Sequence, residues 1–165
     1  MVLTAETHWS LQPMKKTAIA DKGHPIDFFI GQKLEQEKLD FSPPAHRTTL
    51  LRRVCLDLTG LPPSLALTQA FANDPRETAV VYAETVDQLL ASPRYGERWA
   101  QHWLDVIRWA ETVGFETNAE RTQAWPYRDW VISALNHDMP YDRFILEQIA
   151  GDTVGIDAAL GFLLA

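Results

Sequence analysis

The sequence predicts an all-α protein, an irregular bundle of about seven short helices joined by loops that Pro and Gly interrupt. Apolar residues recur at the helical spacing of three and four along most of the chain. No segment alternates with a period of two for long enough to predict a strand. The ten Pro and eight Gly residues fall largely between the helical segments, where they would end one helix and begin the next.

The first two predicted helices have clear start or stop signals. Pro25 suits the first turn of a helix, and Ser42-Pro43-Pro44 ends the periodic segment that follows it. A second helix is predicted from about Thr48 to Thr59. Gly60 fits a left-handed cap at its end, and Pro62-Pro63 prevents its continuation.

Two more helices are predicted before residue 92. Ser64 is a good N-cap for a short helix through Phe71, which Asn73-Asp74-Pro75 ends. Thr78 to Ala91 forms the next helix. Four residues at helical spacing are expected to face the core from this helix: Ala79, Ala83, Val86 and Leu90.

Ser92-Pro93 is a strong helix start, a hydroxyl N-cap followed by Pro in the first turn. The helix is predicted to extend to about Glu111. One stripe along it is expected to be core: Trp99, Trp103, Val106 and Ala110.

The remaining helices are predicted at Trp125 to about Asn136, at Pro140 to Gly151, and from Asp157 to Ala165. The last of these reads as a helix cut short, with an apolar face that lacks a partner. We therefore expect an extended lead-in or linker over residues 1–25 and a single helical domain over residues 26–165 that is truncated at its C-terminus.

Charge and cysteine content exclude several classes of protein. The chain carries 15 basic and 22 acidic residues, a net charge of −7, which argues against a nucleic-acid or anionic-membrane binder. The single cysteine, Cys55, excludes an internal disulfide and covalent haem attachment through a CxxCH motif. Cys55 follows Val54 on the apolar side of its helix, so we expect it to be a core residue.

The candidate catalytic residues are centred on His102 and Asp105, which lie one helical turn apart. Such a pair can be two metal ligands, a general base with its orienting carboxylate, or a structural hydrogen bond. Two acids of the following loop complete the candidate catalytic set: Glu111 and Glu116. The candidate metal ligands for a divalent cation are His102, Asp105, Glu116 and Asp152.

Candidate ligand-binding residues lie close to the same acids. They combine aromatic faces with cations: Trp109, Trp125, Arg98 and Arg128. Structural ion pairing is the favoured interpretation of these acids, because several arginines are near them in sequence: Arg94, Arg98, Arg108 and Arg128.

Several long segments together resemble a known family. They are LRRVCLDLTGLPP at 51–63, LLASPRYGERW at 89–99, HWLD at 102–105, YRDWVI at 127–132, PYDRF at 140–144 and AGD at 150–152. This pattern resembles the cytochrome c-associated domain of unknown function found in large secreted proteins of Planctomycetes and related bacteria. The lead-in HWSLQP at 8–13 is similar to the linker with which that domain begins, so the resemblance extends from His8 to Phe162.

The resemblance implies context more than mechanism. It implies an extracytoplasmic location, in the periplasm or cell envelope, although this chain shows no signal peptide. It also implies an adjacent cytochrome c-like domain, which would hold a c-type haem, and a further domain downstream in the same polypeptide. No cofactor is expected within this chain, and the family provides no catalytic residue to assign.

Three functions follow as hypotheses. The first is a docking or structural module beside a haem domain. The second is part of a redox or carbohydrate-modifying enzyme with an acidic-aromatic pocket, for which a small molecule or sugar would be the ligand. The third is a divalent-metal-binding module. No nucleic-acid partner and no membrane insertion are expected.

Overall fold

The structure, a computed structural model, describes residues 8–15, 24–114 and 119–164, and it confirms the all-α class. The chain divides into two compact units, residues 1–44 and 45–165. The α-helices are α1 (Pro25–Gln36), α2 (Arg47–Thr59), α3 (Leu65–Asn73), α4 (Thr78–Leu90), α5 (Pro93–Val106), α6 (Trp125–Asn136) and α7 (Tyr141–Ala150). Three 3₁₀ helices occupy Trp9–Leu11, Gly151–Val154 and Asp157–Leu164. Within the described residues, no helix is both long and apolar enough to cross a membrane.

The first unit contains α1 and the 3₁₀ turn Trp9–Leu11. His24 is the N-cap of α1, and its Nδ1 accepts a hydrogen bond from the Ile26 backbone N–H at 3.3 Å. The Phe41 ring lies against Gly31 on this helix. Within this unit, α1 has no buried residue, so its apolar side chains do not form a core of their own.

The second unit begins with a small core between α2, α3 and α4. Leu51, Cys55, Phe71 and Val81 are all buried there. Burial raises the pKa of the Cys55 thiol, and the prediction that this residue belongs to the core is confirmed. Gly60 ends α2 with φ at 69°, and its N–H donates to the carbonyl of the preceding turn.

Arg47 joins α2 to the turn between α3 and α4. Its Nε donates to Thr78 Oγ1 at 2.8 Å, and its Nη1 donates to the carbonyls of Phe71 at 3.3 Å and Asp74 at 2.6 Å. Its Nη2 donates to the Arg76 carbonyl. One guanidinium thus satisfies carbonyls at the end of α3, where a helix leaves its last acceptors unpaired.

A second core forms where α5, α6 and α7 meet. Its buried apolar residues are Ala100, Leu104, Tyr127, Val131, Ala134 and Phe144. Helices α5 and α6 approach closely at Gly96, where an added Cβ would lie 2.5 Å from the Ile132 carbonyl oxygen. The Gly96 N–H donates to Asn136 Oδ1 at 2.8 Å, and Asn136 Nδ2 donates to the Pro93 carbonyl at 3.1 Å. The small residue and the amide together set the spacing of the two helices.

The last described segment, Asp157–Leu164, is helical as predicted, and its helix is of the 3₁₀ type. It packs on α6 and α7, with Ala159 fully buried. Gly161 lies directly against the Tyr127 side chain, so closely that a Cβ at this position would overlap it. The tight approach of this segment to Tyr127 therefore depends on a residue without a side chain.

The predicted inner stripe of α5 is wrong in part. Val106 is 74% exposed and Trp99 is 40% exposed, whereas Trp103 is half-buried against the second core. The buried face consists instead of the small residues Gly96 and Ala100 together with Leu104, because close helix packing leaves no space there for indole rings.

The prediction for the inner face of α4 is also wrong. Val81 and Thr85 are the buried residues of this helix, and Thr85 satisfies its hydroxyl on the Val81 carbonyl at 2.7 Å. The residues expected inside lie outward or at the margin instead: Ala79, Ala83, Val86 and Leu90.

Helix α5 also ends earlier than predicted, at Val106 rather than Glu111. Arg108 adopts φ at 58°, and the Trp109 N–H donates to the Leu104 carbonyl at 2.9 Å. This is a Schellman closure with arginine in the left-handed position that glycine usually takes. Without a glycine, the sequence offers no stop signal at this point.

We expect Arg47→Ala to lower the free energy of unfolding by about 3 kcal/mol, because several charge-assisted hydrogen bonds are lost and buried carbonyls are left unpaired. Urea denaturation followed by circular dichroism measures the change. Arg53→Ala is the matched control on the exposed side of α2, with an expected change below about 0.5 kcal/mol. Equal effects of the two substitutions would contradict the role given to Arg47.

We expect Gly96→Ala to destabilise the protein by about 1 to 3 kcal/mol, because the new methyl group forces α5 and α6 apart. The same denaturation measurement detects the loss. In the control Gly31→Ala, the added Cβ lies at an ordinary 3.4 Å from the Phe41 ring, and we expect no loss of stability. A neutral Gly96→Ala would show that the helices can separate without penalty.

Candidate functional site

A buried hydrogen-bond network connects the three helices of the second core. The Tyr127 hydroxyl donates to Gln148 Oε1 at 2.7 Å, and Trp103 Nε1 lies 2.9 Å from the Tyr127 oxygen and 3.1 Å from Gln148 Oε1. Gln148 Nε2 donates to the Phe144 carbonyl at 3.0 Å. The network holds the Trp103 indole on α5 in a defined orientation relative to α6 and α7.

Aromatic rings surround this network. The Trp130 and Phe144 rings stack with centroids 5.0 Å apart, and Trp103 meets Phe144 edge to face at 5.1 Å. Trp130 Nε1 donates to the buried carboxylate of Glu147 at 3.2 Å, which also accepts from Arg143 Nε at 2.6 Å. Within the described residues, each side-chain polar group of this aromatic cluster has a hydrogen-bond partner, as burial requires.

The Tyr127 phenol is strongly perturbed by its surroundings. Burial raises its pKa to about 12, and the hydrogen bond from Trp103 offsets part of that rise. The phenol therefore remains protonated at physiological pH and keeps its donor role toward Gln148.

A cavity of about 370 Å³ lies at the surface of this cluster, between α5, the α6–α7 turn and the start of α7. We call it the aromatic groove; its lining residues are Tyr95, Trp99, His102, Trp103, Val106, Ala134, Leu135, Asp138, Met139, Tyr141 and Phe144. Trp103 and Phe144 connect it to the buried network. His102 contributes its ring at the edge, 5.3 Å from the Trp99 indole between ring centroids.

A second concave region lies beyond the C-terminal end of α5, where the loop that follows α5 meets the start of α6. Thr112 and Glu120 form an isolated antiparallel bridge, and the Arg121 N–H donates to the Glu111 carbonyl at 2.7 Å. These hydrogen bonds fix the ends of the loop against Trp125, which is 50% exposed. We call this region the loop pocket.

The loop pocket consists of two cavities that share Glu120, Arg121 and Thr122. One, of about 390 Å³, is also lined by Glu111, Thr112 and Trp125. The other, of about 320 Å³, extends past Trp109 toward Tyr127 and Gly161.

Glu111, the acid predicted to lie near Trp109 and Trp125, is paired with Arg128. Arg128 Nη1 donates to Glu111 Oε1 at 2.5 Å, its Nε donates to Asp129 Oδ1 at 3.0 Å, and its guanidinium carbon lies 5.9 Å from the Trp109 ring centroid. Trp109 Nε1 donates to the Ala124 carbonyl at 3.3 Å. One face of Trp109 is therefore occupied by Arg128, whereas Trp125 retains an open face.

The structure separates the predicted site residues into groups. His102 lines the aromatic groove, and Glu111 with Trp125 lines the loop pocket. Asp105 is exposed on α5, and Asp152 is exposed in the 3₁₀ helix that follows α7. Glu116 lies outside the described residues.

Arg98 takes no part in either cavity. Its Cδ would lie 2.9 Å from a Cβ added at Gly60, so the side chain packs on the end of α2. Its Nη1 donates to Gln101 Oε1 at 3.1 Å, while its Nε is buried without a hydrogen-bond partner among the described residues. Arg98 therefore contributes to the junction of the two cores.

Among the described residues, no group of three or more His, Cys, Asp or Glu side chains could hold a metal ion. Because Glu116 is not among them, the predicted set of His102, Asp105, Glu116 and Asp152 stays a prediction as a whole.

Sequence reasoning did not identify Tyr127, Glu147 and Gln148 as a buried network. A signal was present: Glu147 and Gln148 follow Phe144 by three and four residues, which places all of them on one face of α7. Polar residues on the apolar face of a helix indicate buried hydrogen bonds to other elements.

The second unit is a helical domain whose second core is aromatic and hydrogen-bonded. The aromatic groove lies at the surface of that core, and the loop pocket lies beyond the end of α5. Residues 25–164 match a family model, PSCyt2, whose description is "Protein of unknown function (DUF1549)". The chain belongs to this family. No curated protein and no solved structure matches it.

We expect the stability of the protein to fall as the pH rises from 10.0 toward about 12, because the folded state holds the Tyr127 proton more tightly than the unfolded state does. The contribution is fully present below the unfolded pKa and is lost as the pH passes the raised folded value. Tyr127→Phe should remove the part of this alkaline loss that Tyr127 causes and lower the free energy of unfolding at neutral pH by about 1 to 2 kcal/mol.

Urea denaturation at a series of alkaline pH values measures this effect. Tyr141→Phe is the control, because Tyr141 is 70% exposed and should leave the alkaline loss unchanged. Identical pH profiles for the wild type and Tyr127→Phe would contradict the assignment to Tyr127.

Proposed function

We propose that this chain is a docking module of a multidomain extracytoplasmic protein and that the aromatic groove receives an adjacent domain of the same polypeptide. The partner favoured by the resemblance described above is a cytochrome c-like domain, which would hold the c-type haem. The observation that carries the proposal is the groove itself, since it leaves large apolar side chains open to solvent on a rigid base.

The exposure of the groove residues supports an interface. Val106 is 74% exposed, Tyr141 is 70% exposed, and Trp99 is 40% exposed. Contiguous apolar and aromatic side chains of this kind are characteristic of the centres of protein interfaces. A groove base held by hydrogen bonds also lowers the ordering cost of binding, because little has to move.

The arrangement of the predicted catalytic residues favours docking over the enzyme function. A redox or carbohydrate-modifying enzyme requires His102 and the loop acids to converge on one reacting group. His102 lines the aromatic groove, whereas Glu111 lies in the loop pocket and is paired with Arg128. The divalent-metal module depends on Glu116, which the structure does not describe, and no observation favours it over docking.

Hydroxyl-radical footprinting tests the proposal by comparing this chain alone with the full-length polypeptide that carries it. We expect Trp99 and Tyr141 to be several-fold less oxidised in the full-length polypeptide, because the partner covers the groove. Trp125, on the loop pocket, should be oxidised equally in both.

Val106→Asp places a charge in the groove and should restore oxidation of Trp99 in the full-length polypeptide. Val80→Asp is the matched control, because Val80 is an exposed valine of α4 and does not line the groove. Equal oxidation of Trp99 and Tyr141 in the two wild-type samples would overturn the proposal. Protection that instead increases with the concentration of the chain alone would show that the occupant is a second copy, which also contradicts an adjacent domain.

A further inference from the structure

The loop pocket has a chemical character different from that of the aromatic groove. Trp125 is the first residue of α6 and is 50% exposed. Around it lie two hydroxyl side chains, Thr112 and Thr122, and the carboxylate of Glu111. An open indole face next to several hydrogen-bonding groups can take a ligand that has both an apolar face and many polar groups.

The loop pocket carries a small negative charge. Its acids are Glu111 and Glu120, and the cations beside them are Arg121, which lines the pocket, and Arg128, which is paired with both Glu111 and Asp129. Three carboxylates against two guanidinium groups leave one formal negative charge, which disfavours an anionic ligand. A neutral ligand fits this arrangement better than a phosphate.

The hydrogen-bonding capacity of the pocket is nevertheless high. Carboxylate oxygens accept, guanidinium groups donate, and each threonine hydroxyl does both. Glu111 uses Oε1 for Arg128, which holds its carboxylate in one orientation beside Trp125. A ligand with several neighbouring hydroxyl groups can satisfy such a mixed set of donors and acceptors.

The loop is built to hold these groups in place. The Val113 N–H donates to the Ala119 carbonyl at 2.9 Å, and the Ala124 N–H donates to the Arg121 carbonyl at 3.0 Å. Arg121 Nη1 donates to the Ala110 carbonyl at 3.3 Å. Backbone bonds on both sides of the pocket therefore fix its wall before any ligand arrives, which favours affinity.

Two adjoining cavities, of about 390 Å³ and 320 Å³, share three lining residues. Each is within the size range of small-ligand pockets. Two neighbouring cavities suit a ligand made of repeated units, with one unit stacked on Trp125 and the next directed toward Trp109.

We propose that Trp125, with Glu111, Thr112 and Thr122, forms a binding subsite for a neutral oligosaccharide of pyranose units. The C–H face of a sugar ring packs on the open indole, and its hydroxyl groups exchange hydrogen bonds with the carboxylate and the two threonines. This is a binding site and involves no bond cleavage. It is separate from the aromatic groove, so it stands or falls independently of the docking function.

The test is a titration of the ¹⁵N-labelled chain followed by NMR, in which each of the six tryptophans contributes one indole N–H signal. The probes are cellohexaose, laminarihexaose and mannohexaose, with sorbitol as an acyclic polyol control and trigalacturonate as an anionic control. Trp125→Phe identifies the Trp125 signal by its disappearance. We expect a saturable shift of that signal with at least one neutral hexasaccharide, none with sorbitol, and no tighter binding of the anion.

Trp125→Ala should weaken binding by about tenfold, the effect of losing one good aromatic contact. Trp125→Phe keeps an aromatic face and should retain most of the affinity. Trp99→Ala removes an exposed tryptophan of the aromatic groove and should leave sugar binding unchanged. Remaining signals of the Ala variants, such as those of Trp103 and Trp130, show whether the second core is folded.

Thr112→Val and Thr122→Val remove hydroxyls at nearly constant volume, and each should weaken binding several-fold without altering the fold. Absence of a saturable Trp125 shift with all three hexasaccharides would overturn the proposal. Unchanged affinity in Trp125→Ala, or in the two threonine variants together, would overturn it as well.

Discussion

The Gln148 side chain, 1% exposed, lies where α5, α6 and α7 meet, and its amide oxygen is the shared acceptor for Trp103 and Tyr127. A buried amide leaves little freedom to its neighbours, because each unpaired donor in this apolar surrounding is strongly unfavourable. The two aromatic side chains must therefore keep their positions, and the Phe144 and Trp130 rings pack around them. These hydrogen bonds therefore fix the residues at the base of the aromatic groove, and the apolar rings pack around them.

Helix positions could be predicted well from the sequence, whereas helix faces could not. The starts at Pro25 and Ser92-Pro93 and the end at Gly60 rest on local signals, and the structure confirms them. Other helix ends use Lys38 and Arg108 in left-handed conformations, which their residue types do not favour. In α5 the core face combines Leu104 with the small residues at positions 96 and 100, and the close approach of α6 leaves no space for a side chain at position 96. Such spacing is a tertiary property, which a single helix does not encode.

The sequence shows which residues could belong to a site, but it does not show which of them lie together. Sequence analysis selected one histidine, two tryptophans, two arginines and several acids, all between positions 98 and 128 except Asp152. Most of the residues that line the aromatic groove and the loop pocket lie in the same part of the chain, between positions 95 and 144. Their division into two separate cavities depends on the early end of α5 and on the loop bridge between Thr112 and Glu120. The competing hypothesis of ion pairing also has support, since Glu111 is bound by Arg128. An ion pair can still orient a carboxylate toward a ligand, so pairing and binding are compatible at this position.

Cys55 is the single cysteine of the chain and is 2% exposed between α2, α3 and α4. Its thiol reacts with an alkylating reagent only as the thiolate and only when the reagent reaches it, and burial disfavours both conditions. The rate of native-state alkylation thus reports how often the α2–α4 core opens, without any engineered label. Arg47 is hydrogen-bonded to the turn beside that core. The opening frequency measured at Cys55 therefore reports how strongly this one guanidinium group joins α2 to the turn between α3 and α4. Cys55 is therefore a natural probe of local opening in the α2–α4 core, which lines neither the aromatic groove nor the loop pocket.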